Sequence, residues 1–290
     1  MTDLNPAVAR EAWRLAEPLH AMIYFVPETG RRFEALGLSG SAGYFAARGG
    51  VFGAVGPGPV IATFYNFRPE FVARFLPAVW ETVTPAAAIE ARLAAADEAL
   101  ERGLGDTLRS PEVAEAAVLA RRAAESATAH MAGRPLYAAH AGLGWPEEPH
   151  LVLWHAQMML REFRGDGHVA ALLLAGLTGL QAMILHGASG QANGGFLRAS
   201  RGWSREEWAA EAESLRSRGL MAGDELTAEG HDLRARIEAE TDRLAAPAYA
   251  VLGEAGCERL AELARPLSRT LVKAGFLSSV APERPARPSM

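Results

Sequence analysis

The sequence predicts a mainly α-helical chain built from two similar halves, with β-structure confined to a few residues. Three observations carry this. Long stretches hold apolar residues at helical spacing between recognisable start and stop signals. Three words recur in the same order: GYFAARG at 43–49 with GHVAALL at 167–173, RGL at 102–104 with RGL at 218–220, and RPLYAAHAGL at 134–143 with RPLSRTLVKAGF at 265–276. Finally, the short polar stretch MAGDE at 221–225 is where one or two β-residues are expected. The boundaries that follow are residues 1–145 for a degenerate first repeat, 146–280 for the second, and 281–290 for a disordered tail rich in Pro and Arg.

Each half begins with an apolar helix, AVAREAWRLAEPLHAMIYF at 7–25 and LVLWHAQMMLREFR at 151–164. A Gly-rich turn and a small apolar helix are expected next. A helix ending in RGL comes third; Thr84-Pro85 opens it in the first half as N-cap and N1, and Ser204 with Glu207 opens it in the second as a capping box. Gly103 and Gly219 are the expected C′ stops. LTAEGHDLRARIEAETDRLAAPAY at 226–249 then reads as a long helix, and ERLAELARPLSRTLV at 258–272 as a last amphipathic one.

Composition bounds the function classes. The 290 residues carry 29 Lys+Arg against 34 Asp+Glu, a formal charge of -5, so no global cationic field draws in a polyanion. Lys273 is the single lysine, and the Arg- and Ala-rich usage points to a GC-rich, actinobacterial source. One cysteine, Cys257, excludes an intramolecular disulfide and a Cys-based zinc cluster. The N-terminus lacks the basic and apolar regions of a signal peptide, and no apolar run reaches the length of a membrane span, so a cytoplasmic protein is expected.

The segment SREEWAAEAESLRSRGLMAGDELTAEGHDLRARIEAETDRL at 204–244 resembles the MarR-type winged helix, in which an R-G-L step leads into a two-stranded wing, an L-T-x-x-G step and a long helix. The whole chain is also similar to a family of actinobacterial helix-turn-helix proteins of about this length. The resemblance implies two tandem winged-helix repeats forming a pseudo-two-fold monomer with small β-wings. It also implies a cavity for small aromatic or anionic ligands between the dimerisation helices and the DNA-binding lobes.

The resemblance implies DNA binding as well, and the residues argue against it. From Ser204 to Arg218 there are three Arg and four Glu, a net of -1. With Trp208, Ala212, Leu215 and Gly219 facing inward, Glu206, Ala210, Glu213 and Ser217 face outward, and Asp224 and Glu225 sit in the expected wing. Phosphates would be repelled, so nucleic acid is not an expected partner and a ligand-responsive regulator is the alternative reading. The first reading is a small-molecule binding protein, monomeric or weakly dimeric. Its enzymatic version is an acid–base enzyme of secondary metabolism.

The candidate site centres on REFRGDGHVAAL at 161–172. Here a tight turn capped by Asp166 would start a helix whose N-terminus, with Arg161 and Arg164, holds an anion, while His168 moves a proton. Tyr44 occupies the matching place in the first repeat. Arg48, four residues later in an apolar setting, is either a snorkelling arginine or an anion ligand. Phe64 and Tyr65 offer core or a stacking wall. His155 could approach His168 across the expected turn. A single metal could not join His168 and His186, five helical turns apart, unless the helix breaks at Gly176 or Gly179. Haem or a metal through His168 is the cofactor alternative. Thr241-Asp242 and the stretch from Arg234 to Arg243 read as a solvated, ion-paired helix face.

Overall fold

A computed structural model describes residues 4–277, so the expected tail at 281–290 lies outside the described residues. The first half runs α1 (Pro6–Ala21), α2 (Pro27–Ala35), α3 (Gly40–Gly49), α4 (Pro57–Phe64), α5 (Pro69–Ala73), α6 (Pro85–Leu104), α7 (Pro111–Ser126) and α8 (Pro135–Ala141). The second runs α9 (Pro149–Leu174), α10 (Gly179–Ala188), α11 (Gly194–Ser200), α12 (Arg205–Ser217), β1 (Met221–Ala222), β2 (Glu225–Leu226), α13 (Ala228–Tyr249) and α14 (Gly253–Lys273). Among the described residues the chain is mainly α, with one antiparallel hairpin pairing Met221 with Leu226 and Ala222 with Glu225; a wing was expected in each half, and the first half carries none.

Local chemistry explains most helix starts. Proline is the first residue of α1, α2 and α4 through α9, where its missing N–H has no helical partner to lose. From α10 to α13 the caps are side chains: Thr178, Asn193, Ser204 and Thr227 each accept from a backbone N–H of the first turn. Thr84 and the Ser204–Glu207 capping box act as expected. Gly219 follows α12 at φ 73° as its C′ residue. Gly103 does not stop α6. The helix runs on to Leu104 and ends at Gly105, and Gly103 is instead where Leu271 and Phe276 pack onto α6 too closely for a Cβ.

RGDGH does not take the conformation that its composition favours. There is no turn, and α9 passes unbroken through Gly165, Asp166, Gly167 and His168. Two glycines in one helix cost roughly 1 kcal/mol each relative to alanine, and tertiary contacts offset this. An added Cβ at Gly167 would lie 3.0 Å from an Arg134 nitrogen and 3.1 Å from Leu244 Cβ, so α13 crosses α9 at close range there. Asp166 caps a different helix, α8, by accepting from Tyr137 N at 2.9 Å. No helix N-terminus therefore stands at residue 167 to hold an anion. The matched words also fall on unlike elements: GYFAARG lies in α3 and GHVAALL inside α9, while RPLYAAHAGL covers α8 and RPLSRTLVKAGF the end of α14. Tyr44 and His168 are not counterparts.

Three apolar cores organise the molecule. The largest is a bundle of α1, α6, α7, α9 and α14, whose dominant pairings are α1 on α14 and α7 on α9. Alanines at 88, 95, 96 and 99 of α6 and at 116, 117, 120, 123 and 124 of α7 let these helices approach closely. A first lobe from Phe33 to Val83 has an aromatic core around Phe45, Phe64 and Phe67. A second lobe comprises α10, α12, the hairpin and the start of α13, around Leu180, Ile184 and Leu215. The lobes touch directly: Trp203 Nε1 donates to Asn66 O, Arg68 N to Arg201 O, and Arg68 pairs with Glu207 at 2.8 Å.

Candidate functional site

A cavity of about 280 Å³ lies where the first lobe, α9, α10 and α13 meet. Phe64, Tyr65 and Asn66 form one wall, His168 and Leu172 a second, Met183 and His186 a third, and Arg234, Ile237 and Glu238 of α13 the fourth. His168 and His186 line one cavity because the chain bends by 98° between α9 and α10, with Gly176 at φ 64° in the break. At Gly179, the first residue of α10, the Tyr65 carbonyl approaches where any Cβ would be. Tyr65 itself has a positive φ of 52° and donates its hydroxyl to Leu177 O at 2.5 Å, tying the wall to the bend.

The state of His168 follows from its partner. Thr241 Oγ1 donates its one proton to Ile237 O at 2.7 Å, so at 2.9 Å from His168 Nδ1 it accepts. Nδ1 therefore carries the hydrogen and Nε2 keeps its lone pair. Burial lowers the pKa of His168, with Glu238 opposing and Arg164 reinforcing the shift. Burial also lowers that of His186, assisted by Arg234. Both imidazoles are neutral near pH 7.

Arg234 reaches Gln191 Oε1 at 2.9 Å and His186 Nδ1 at 3.5 Å, and pairs with no carboxylate among the described residues. Glu238 is engaged by Arg164 at 3.0 Å and Arg10 at 3.5 Å. The face expected from Arg234 to Arg243 is solvated only in part: Arg243 is exposed and pairs with Glu240 at 2.6 Å, whereas Thr241 and Asp242 are buried, and Asp242 accepts from Arg164 at 2.7 Å and Arg10 at 3.1 Å. The helical spacing of Arg234, Glu238 and Thr241 with Ile237 was its available signal.

The remaining predicted residues lie outside the cavity. Arg161 pairs with Glu17 and lies over the Tyr24 ring. Arg164 is buried between Asp242, Glu238 and the Trp13 ring. Arg48 grips Glu162 with Nη2 at 2.8 and 2.9 Å, donates to Tyr44 Oη at 2.8 Å and stacks on Phe64 at 4.2 Å. It is neither snorkelling nor free. His155 shares the unbroken α9 with His168, 13 residues away and therefore about 20 Å along the axis; it packs on Trp145 instead. Among the described residues no group of three His, Cys, Asp or Glu is placed to hold a metal ion.

A buried polar cluster beyond Phe64 escaped the sequence reading. Besides Arg48 and Glu162 it holds His20, Tyr24, Arg92 and His140. Burial would raise the Glu162 carboxyl, but Arg48 foremost, together with Arg161, outweighs it and holds it at about 2. The visible signal was Arg92, a guanidinium in the alanine stripe 88, 95, 96 and 99 of α6. A larger groove of about 770 Å³ between α6, α7 and the start of α9 is a surface feature. Its polar side chains largely satisfy one another, His150 with Asp97 and Arg109 with Glu101.

A family profile described as a helix-turn-helix family matches residues 9–278, nearly the whole chain. The chain belongs to the helix-turn-helix family. Among curated proteins and solved structures there is no match. In the described residues no single helix is long and apolar enough to cross a membrane.

Proposed function

We propose that this helix-turn-helix protein binds a small aromatic, anionic molecule in the cavity between its lobes. The observation that carries this is the convergence of an aromatic wall, a neutral His168 with a free Nε2 lone pair, and an Arg234 without a carboxylate partner. Arg234 would hold the negative charge, Phe64 and Tyr65 would flank the ring, and His168 Nε2 would accept from a hydroxyl or N–H of the ligand. Proton abstraction at that group is the enzymatic version.

The architectural reading behind it is a duplicated, MarR-like winged-helix chain folded as its own dimer. Pro6 and Pro149, which open α1 and α9, are 143 positions apart, as are Thr84 and Thr227, which cap α6 and α13. Pro111 and Gly253, which open α7 and α14, are 142 apart. The pairings α1 with α14 and α9 with α7 are what a two-fold exchange of first and last helices between protomers would give.

A ligand-responsive DNA-binding regulator is the second reading, favoured by the family and by a capped α12 followed by a hairpin. Weighing against it, Glu206 and Glu213 are exposed on α12, Asp224 and Glu225 are exposed at the hairpin, and Glu207 is engaged by Arg68 of the first lobe.

A thermal-shift screen of aromatic acids such as salicylate and 4-hydroxybenzoate tests the first reading. At least one acid should raise the melting temperature, and His168→Ala and Arg234→Gln should each abolish the shift. No response to any acid, or an unchanged response in His168→Ala, retires the site; tight, salt-dependent retention of promoter DNA would favour the regulator.

A further inference from the structure

Arg92 is an uncompensated charge inside the bundle. It is 3% exposed, and among the described residues its Nε has no hydrogen-bond partner and its Nη2 bonds only to the thioether of Met158, at 2.8 Å. Glu162, the carboxylate that acts on it, is already held by both bonds from Arg48. Arg161 is matched by Glu17. Tyr24 stays a neutral phenol, since burial raises its pKa, and burial keeps His20 and His140 neutral. Burial lowers Arg92 to about 10, which leaves it charged at pH 7. Arg48, Arg92 and Glu162 together therefore leave one net positive charge, and an isolated buried cation is strongly disfavoured.

The surroundings supply orphaned groups of both kinds. His20 and Arg92 both lie against Trp154, at 5.2 and 5.7 Å from its ring, and Arg92 acts electrostatically on His20 and His140; Gln157 and Met158 lie one turn further along the same helix as Trp154. Both ends of the Gln157 amide, His20 Nδ1 and His140 Nε2 are buried without a hydrogen-bond partner. His140 Nδ1 donates to Leu136 O at 2.8 Å, so its Nε2 is an acceptor. His20 Nε2 can accept from Tyr24 Oη at 3.2 Å, which makes Nδ1 a donor.

We infer that the bundle interior holds a second binding site, centred on Arg92, for a small oxyanion of one negative charge that also carries a hydroxyl. The anion takes donors from Arg92, His20 and the Gln157 amide, and its hydroxyl donates to His140 Nε2 or Gln157 Oε1. Met158, a flexible side chain with a weak acceptor, yields its place at the guanidinium. The site is separate from the lobe cavity and does not depend on the function proposed for it.

Bicarbonate is the probe, with nitrate as an anion lacking the hydroxyl and gluconate as a bulky control, all at pH 8 and one ionic strength. Bicarbonate should raise the melting temperature over gluconate, and more than nitrate does. Arg92→Met should lose the shift while melting no lower than the wild type in gluconate. Gln157→Leu, which retains the guanidinium, should weaken bicarbonate about tenfold or more. Wild-type melting that is equal in bicarbonate and gluconate overturns the proposal, as does a shift that survives in Arg92→Met. If Arg92→Met does not fold, unweakened binding in Gln157→Leu overturns it.

Discussion

At the scale of residues, the interior is governed by charges that need a particular partner. Arg48 was legible as an anomaly, because it is a guanidinium among Phe, Ala and Gly; its partner Glu162 is 114 positions away and could not be read from spacing. Both are nearly inaccessible, with 12% and 5% of their side chains exposed, so removing one leaves the other as a stranded charge. Glu162→Gln should therefore destabilise by ~3–5 kcal/mol in chemical denaturation, and Arg48→Met with Glu162→Leu should recover most of that loss. A double variant no more stable than Glu162→Gln would show that the pair is not the cause. His168 was legible as a candidate, but its tautomer was not, because Thr241 comes from α13.

At the scale of elements, the sequence was most informative where structure is local. Caps at Thr84 and Ser204, the C′ glycine at 219, the short hairpin and the outward stripe of α12 follow from nearest neighbours along the chain. It misled at α9. Arg-Gly-Asp-Gly has the composition of a turn, yet Asp166 and Gly167 each answer to a different partner, α8 and α13. The seam between Gly179 and Tyr65 is another such contact, and a methyl there must displace backbone. Gly179→Ala should cost ~1–3 kcal/mol by overpacking and should weaken any cavity ligand, since Tyr65 and His186 flank the seam. Gly58→Ala, where a Cβ meets nothing within 4 Å, serves as the control. Equal stability of the two variants would contradict the tight seam.

At the scale of the molecule, the buried imidazoles set the response to acid. His20, His140, His155, His168 and His186 all have pKa values lowered by burial, His140 to about 3 and His155 to about 4. The unfolded chain binds protons at these five below its ordinary value of ~6.5 while the folded chain resists. Their contribution is thus fully present above that value and is lost as pH falls towards the folded values, by up to ~1.4 kcal/mol per pH unit for each group. Asp166, raised by burial to about 6, acts in the opposite sense: its contribution is present below the unfolded value and is lost as pH rises through 6. Five groups against one give a melting temperature that should fall steadily from pH 7 to 5, and His140→Gln should flatten that slope. A melting temperature that is level or rises on acidification would sink this account.

What the sequence determined by itself was the helical class, the helix caps at Thr84 and Ser204, the hairpin at 221–226 and the acidic outward stripe of α12, because each depends on residues within one or two turns. It also singled out Phe64, Tyr65, His168 and His186, which share one cavity. Only the tertiary structure decided that α9 runs through RGDGH, that Arg48 and Arg164 are held by carboxylates, and that Arg92 is left without one. The physical reason is the same in each case. A buried charge or a close helix crossing is decided by groups brought together from distant parts of the chain, and no local preference of a kilocalorie or so outweighs them.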